Sequence, residues 1–373
     1  MKVWPIRAAL VIQTILCLAH LFLYLTWRHF GWSLSPIGLN TLRIALALLS
    51  FSFIGACIFA FRVVHPFVAL AYKLAVLWLG FLHLFFLAAV TAWVIDPVTL
   101  LLSKPDRLAI RAHLAAVLLL TVLILALYSL ANARIIRTRR ISVRLPNLPE
   151  AWRGRTALLL TDLHLGNVNS QGFASRIARM ARTLNPHVIL ISGDLFDGLA
   201  DKPLDLAAPL IDLANSIGTY FVSGNHEQFG GTSRYNDAFE PTPIHVLDNR
   251  SVNLDGLHII GVSYELSTSP ISFRTYLQDL NLAPDQPSIL LNHVPHGLPI
   301  VAENNVSLQL SGHTHGGQMF PFNYLARRAF GRFTYGLQQL DSLKVYTSSG
   351  AGTWGPPMRL GSAPEIVLFT FEP

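Results

Sequence analysis

Ser311-Gly312-His313-Thr314-His315-Gly316-Gly317-Gln318 follows the short run Ser307–Leu310, which reads as a strand bounded by turn-forming residues. Two histidines at i and i+2 of an extended segment project to the same side. The flanking glycines let backbone come close to whatever the imidazoles hold. A strand ending in such a pair sets ring nitrogens at a sheet edge, where they can reach two ions about 3.5–4 Å apart.

Outward from this octapeptide, the same arrangement recurs four times toward the N-terminus. Asn292-His293-Val294-Pro295 follows Ser288–Leu291; alone, a histidine in that position is more often structural than a ligand. Gly224-Asn225-His226-Glu227 follows Tyr220–Val222. The Asn225 amide offers an oxygen ligand for a divalent cation. His226 can act as a general acid, with Glu227 to orient it. Gly193-Asp194-Leu195-Phe196-Asp197-Gly198 follows Val188–Ser192, and the two Asp194 oxygens can bridge two ions. Asp197 reads as a turn or helix-capping residue. Thr161-Asp162-Leu163-His164-Leu165-Gly166 follows Ala157–Leu160, with Asp162 and His164 spaced to share one ion. Each motif is weak alone, but five in order at successive strand ends are poorly explained as unrelated structural groups. His187, His245, His258 and His296 lack that context and read as structural.

Further strands are expected at His258–Val262, Lys344–Thr347 and Ile366–Phe371, and helices at Phe173–Leu184, Leu204–Ser216 and Phe273–Leu280. Strands alternating with helices, then more strands, indicate an α/β domain on a layered sheet over 156–373. No internal repeat or low-complexity segment is visible.

The N-terminal part is different. Apolar residues make up 52% of the 373 and charged ones only 13%, oilier than an average soluble chain. The excess lies in four uncharged runs, about 8–27, 44–61, 74–95 and 112–133, each near the roughly 20 residues a helix needs to cross a bilayer. The expectation is a four-helix transmembrane region over 1–134, a basic linker over 135–155, then the α/β domain. His20, His83 and His113 are polar exceptions within the runs, read as interhelical or interfacial hydrogen-bonding groups. With no acidic or basic residue in the runs, transport finds little support and anchoring is the simpler role.

Charge divides the same way. Residues 1–155 carry 16 Lys/Arg against 3 Asp/Glu, a balance of +13; residues 156–373 carry 12 against 18, a balance of −6. An acidic domain argues against nucleic acid as a partner. The positive surplus flanks the apolar runs, seven arginines falling between Arg134 and Arg155, as expected beside a lipid surface. With four crossings, Lys2, Arg7, Arg62, Lys73 and that cluster share one side, against Arg28, Arg43, Lys104, Arg107 and Arg111 on the other. Eleven against five predicts a cell (inner) membrane protein with a cytoplasmic C-terminal domain. Cys17 and Cys57 both lie in apolar runs, so no disulfide framework is indicated.

The order and types of these residues resemble the calcineurin-like metallophosphoesterases over about residues 155–373. Ser311–Gln318 and the ending Pro356-Pro357-Met358-Arg359 to Pro364-Glu365-Ile366-Val367-Leu368 look like the bacterial membrane-associated branch, which includes phosphodiesterases similar to those cleaving the pyrophosphate of UDP-diacylglucosamine. The resemblance implies a layered αββα sandwich and two divalent metal ions. Asp162, His164, Asp194 and His315 would hold one; Asp194, Asn225, His293 and His313 would hold the other. It also implies His226 as proton donor to the leaving oxygen, with a hydroxide shared by the ions as nucleophile. Mixed nitrogen and oxygen ligands suit Mn, Fe, Zn or Ni. The partners implied are the lipid bilayer and a phosphodiester or pyrophosphate substrate, lipid-linked if the anchor serves the chemistry. Rival expectations are a broad phosphatase or phosphodiesterase without lipid preference, and a silent scaffold that keeps the fold. One departure stands out: relatives often have an aspartate where this chain has His296, which puts the contacts around His293 in doubt.

Overall fold

The computed structural model describes residues 3–30, 34–60, 63, 65–101, 103–198 and 202–372. Lys2 and Arg62, which enter the topology count, lie outside the described residues. Contacts divide the chain into two units, Met1–Ala131 with Gly355–Met358, and Asn132–Trp354 with Arg359–Pro373.

The first unit is built from α1 (Val3–Phe30), α2 (Pro36–Ala60), α3 (Pro66–Thr99) and α4 (Lys104–Arg134). All four are long and apolar enough to cross a membrane. Side chains such as Leu48 and Leu127 are 70% and 69% exposed, which water disfavours and hydrocarbon accepts. Pro66 starts α3 where its missing N–H costs nothing, and His65 Nδ1 accepts from Phe67 N at 3.3 Å. His20 makes the interhelical bond expected of it, accepting from Trp78 Nε1 at 2.9 Å.

The helices outrun the uncharged stretches. Asp96, which marked the end of the third run, lies inside α3. There Arg111 of α4 donates to both carboxylate oxygens at 2.6 and 2.7 Å, and His29 Nε2 lies 2.9 Å away. The reason is that a helix keeps its hydrogen bonds beyond the apolar core, and charges near its end survive burial only when paired.

Among the described residues the second unit holds twelve strands: β1 (Arg137–Arg144), β2 (Thr156–Leu160), β3 (Val188–Ser192), β4 (Gly218–Val222), β5 (Ile244–Val246), β6 (Arg250–Leu254), β7 (Leu257–Gly261), β8 (Ser288–Leu291), β9 (Leu308–Ser311), β10 (Gly336–Leu340), β11 (Leu343–Thr347) and β12 (Glu365–Glu372). They form two six-stranded sheets, ordered β1-β12-β2-β3-β4-β5 and β10-β11-β9-β8-β7-β6. Leu159, Leu190, Ile289, Leu310 and Phe369 fill the space between the sheets. The outer face of the first sheet packs on α5 (Gln171–Leu184) and α6 (Pro203–Ala214) through Ile177, Ala181 and Leu210. Further along come α7 (Asn225–Gly230), α8 (Thr232–Phe239) and α9 (Tyr264–Ser267). The outer face of the second sheet packs on α10 (Pro270–Asp279) and α11 (Leu298–Glu303) through Phe273, Leu277 and Val301. α12 (Phe322–Phe330) precedes β10. This is the αββα sandwich.

The stretch 135–155 is not a free linker. Its first part is β1, paired in parallel with the whole of β12. Ile141 and Val143 pack on the inter-sheet core while Arg139, Arg140 and Arg144 are exposed, so the strand reads by composition as a basic tail. Arginines on an edge strand also oppose pairing with another chain.

Candidate metal centre

The parallel strands β2, β3 and β4 of one sheet, and β8 and β9 of the other, each run directly into one of the five motifs. The seven residues singled out as ligands therefore converge at one edge of the sandwich. His164 Nε2 lies 3.0 Å from His315 Nε2, and His315 Nε2 lies 3.5 Å from Asp162 Oδ1. His293 Nε2 lies 3.1 Å from Asp194 Oδ2 and 3.2 Å from Asn225 Oδ1, which is 2.8 Å from His313 Nδ1. Asp194 faces both groups, its Oδ2 being 3.9 Å from His164 Nε2.

The backbone is strained to achieve this. Asp162, His164, Asp194, His313 and His315 all take left-handed conformations, with φ between 47° and 69°. Such values cost on the order of 1–3 kcal/mol per non-glycine residue and cluster where function imposes geometry. Glycine matters most at Gly312, where a Cβ would overlap Thr161 Oγ1 and Asp162 Oδ2.

Burial sets the charges. Burial would raise the Asp194 pKa, but the His293 charge and hydrogen bond hold it well below the usual carboxylate range. His293 in turn is pushed up to about 10, the Asp194 charge overcoming burial. Burial lowers His164 to about 4 and His313 to about 3, and lowers His315 with help from Arg359. Three imidazoles are thus neutral near pH 7, the form that binds cations. Burial also raises Asp162 to about 6. Two imidazole nitrogens 3.0 Å apart can face each other only if one carries a proton or a cation joins them. Carboxylates, imidazoles and one amide fit the nitrogen–oxygen donor set of a first-row divalent metal.

Three roles differ from expectation or were missed. Glu227 does not orient His226. Its fully buried carboxylate accepts from the backbone N–H of Asp194 (3.0 Å), Phe196 (2.9 Å) and Gly224 (2.7 Å). Burial and the Asp194 charge raise its pKa to about 7. The signal was present as Gly224-x-x-Glu227, the spacing at which a side chain reaches back over a helix start. Glu227→Ala strands three buried donors at about 1–3 kcal/mol each. It is expected to lower stability by about 3 kcal/mol or more, measured as a reduced urea midpoint for the domain. An unchanged midpoint would contradict the role.

Asp197, read as a turn residue, is the group that holds His226, its Oδ1 lying 3.3 Å from Nδ1. Burial works against the charged imidazolium, but that contact and the Asp194 charge raise the His226 pKa. Arg359 was not singled out either. Its fully buried guanidinium donates to His315 O at 3.0 Å, and its Nη2 lies 3.1 Å from His315 Nδ1. The four remaining histidines stay outside the cluster: His187 accepts from Thr156 N, His258 meets Asn253 and Gln286, His245 stacks on Tyr220, and His296 Nε2 lies 2.7 Å from Ser267 O.

Residues 156–317 match the family model described as calcineurin-like phosphoesterase. This part of the chain is a calcineurin-like phosphoesterase domain. A protein of Bos taurus described as a transmembrane protein with metallophosphoesterase domain is 33% identical over 293 residues, 73% of this chain and 64% of that one. An uncharacterized metallophosphoesterase of Campylobacter jejuni is 32% identical over 241 residues, 63% of each chain. Another from Aquifex aeolicus is 29% identical over 255 residues, 67% of this chain and 97% of that one. The chain thus spans a little under two thirds of the length of the first two relatives. Metallophosphoesterases of this family use two divalent metal ions, and the domain's clustered donors provide for them.

Proposed function

We propose that the chain is a membrane-anchored phosphoesterase that hydrolyses a phosphodiester or pyrophosphate bond. The observation that carries this reading is the clustering of Asp162 with His164 and His315, and of Asp194 with His293 and His313, joined by the grouping of His164, Asp194 and His226, with Asn225 Oδ1 beside His293 and His313. In this assignment Asp162, His164, Asp194 and His315 hold one ion, and Asp194, Asn225, His293 and His313 hold the other.

When bound, two such ions neutralise phosphate charge and lower the pKa of a coordinated water. The protein's own residues do the rest. Asp197 fixes the His226 ring through Nδ1, leaving Nε2 to give a proton to the departing oxygen. Against the effect of burial, the Asp197 contact raises the His226 pKa, which favours the protonated ring that this role needs. Glu227 pins the backbone of the Asp194 and Asn225 loops, and Arg359 backs His315. Phe229 and Trp354, 68% and 56% exposed, stand beside His226 at ring distances of 5.6 and 6.1 Å. Exposed aromatics at the mouth of a site, on a chain with four membrane-length helices, support an amphiphilic, lipid-linked substrate. The charge count of eleven against five favours a domain on the cytoplasmic face of the cell membrane.

The test is an assay of the full-length protein with added Mn²⁺ against soluble diesters, phospholipids and UDP-sugar lipids. Hydrolysis abolished by a chelator and fastest on a lipid-linked substrate is expected. Equal rates on soluble and lipid diesters would remove the lipid preference, and no metal-dependent hydrolysis of any would overturn the reading.

A further inference from the structure

Between Glu303 and Asp341 the otherwise acidic domain has no acidic residue, yet three of the twelve cations of 156–373 fall here, at Arg327, Arg328 and Arg332. Two of them lie on α12, none of whose residues is buried. Phe322, Leu325 and Ala329 recur at three- and four-residue spacing and share one face, while Tyr324, Arg327 and Arg328 share another. Phe322, Tyr324 and Leu325 are 47%, 60% and 62% exposed, and Phe320 just before the helix is 43% exposed. The segment is fastened to the metal centre at its far end. The Phe330 ring stands 6.0 Å from that of His313, and Thr314 Oγ1 donates to Thr334 O at 2.7 Å.

A short helix with an apolar face and flanking arginines, in a stretch of sequence without acidic residues, has the composition of a segment that lies in the headgroup plane of a bilayer. The arginines select the lipid, since cations beside a membrane are held by anionic headgroups. We propose that α12 with Phe320 and Arg332 docks on the surface of an anionic bilayer, seating Phe322 and Leu325 among the acyl-chain boundary and holding the mouth of the metal centre at the headgroup level. This rests on the membrane-anchored reading: the apolar helices bring the domain to lipid, and α12 decides which surface of it faces the lipid.

The test uses full-length protein, with Cys17 and Cys57 replaced by Ala, in discs of phosphatidylcholine with or without phosphatidylglycerol. A bimane label is placed singly at Leu325→Cys, at Leu48→Cys in α2, or at Ile271→Cys, an 81% exposed position on α10. Quenching by spin-labelled lipid is read for each. Leu48 reports the anchor, Ile271 reports mere proximity, and Leu325 reports docking. Quenching at Leu325 well above that at Ile271, and stronger with phosphatidylglycerol, is the expected result. Each arginine beside an anionic surface strengthens attachment roughly fivefold. Arg327→Glu, Arg328→Glu and Arg332→Glu together should therefore lower the docked-to-undocked ratio by about two orders of magnitude or more. Turnover of a soluble chromogenic diester by that triple variant should stay unchanged, showing an intact domain. Quenching at Leu48 with none at Leu325, or Leu325 quenching insensitive to both phosphatidylglycerol and charge reversal, would overturn the docking proposal while leaving the anchor standing. Loss of quenching at Leu48 would overturn the anchored reading itself.

Discussion

Asp194→Ala is expected to lower metal-dependent hydrolysis of a chromogenic phosphodiester by at least about a thousandfold. Removing one neutral donor to developing negative charge already costs on the order of 10²–10³ in rate. In the proposed assignment Asp194 does more, because its carboxylate lies between His164 and His293 and would serve both ions. It also balances His293, which burial would otherwise strip of its charge. The alanine variant therefore carries a fold risk, since His293 Nε2 loses its partner at 3.1 Å and His226 N loses an acceptor at 2.9 Å. Asp194→Asn keeps an oxygen in place and separates the two effects. A folded asparagine variant with wild-type turnover would contradict the assignment.

The second large effect belongs to His226, and its signature is a dependence on the leaving group. General acid catalysis by a positioned side chain is worth about 10²–10⁴-fold. His226→Ala should show that loss on a diester whose departing oxygen is a poor leaving group, such as an alkoxide. A nitrophenolate departs without a proton and should be cleaved with a much smaller loss. Metal content should stay near that of the wild type: His226 lies within reach of His164 and Asp194, but the proposed assignment gives it no ion and Asp197 holds its Nδ1. Equal losses on both leaving groups would remove the proton-donor role.

The sequence carried the site more fully than the fold around it, and the residues show why. Strands β2, β3, β8 and β9 are flanked by neighbours on both sides and buried on both faces, so they appear as apolar runs close to their observed limits. The strands that went unnoticed are β1, β5, β6 and β10, the four edges of the two sheets. Each alternates exposed with covered positions or is only three residues long, so no run of apolar residues announces it. β1 went furthest astray, because its outward arginines look like a membrane-flanking tail while Ile141 and Val143 hold it to the core.

Within the site, the clustering of the seven proposed ligands was legible because each sits just past a strand end in one of five ordered motifs. Glu227 and Asp197 exchanged roles for a reason that spacing cannot show. Glu227 at the third position of α7 turns back onto backbone N–H groups, and the chain leaving Asp194 brings Asp197 around to the His226 ring. Arg359 is distant in sequence and reaches His315 only because the last loop returns across the end of β2, where Ala351 N bonds to Thr161 O. Buried polar groups of this kind are fixed by tertiary closure, not by local pattern.

Metal analysis of the purified full-length protein, after equilibration with Mn²⁺ and removal of excess ion, tests the central claim most directly. The account predicts about two tightly held ions per chain, and a clear loss of bound metal in Asp194→Asn. A wild-type protein that is folded and holds no metal would contradict it.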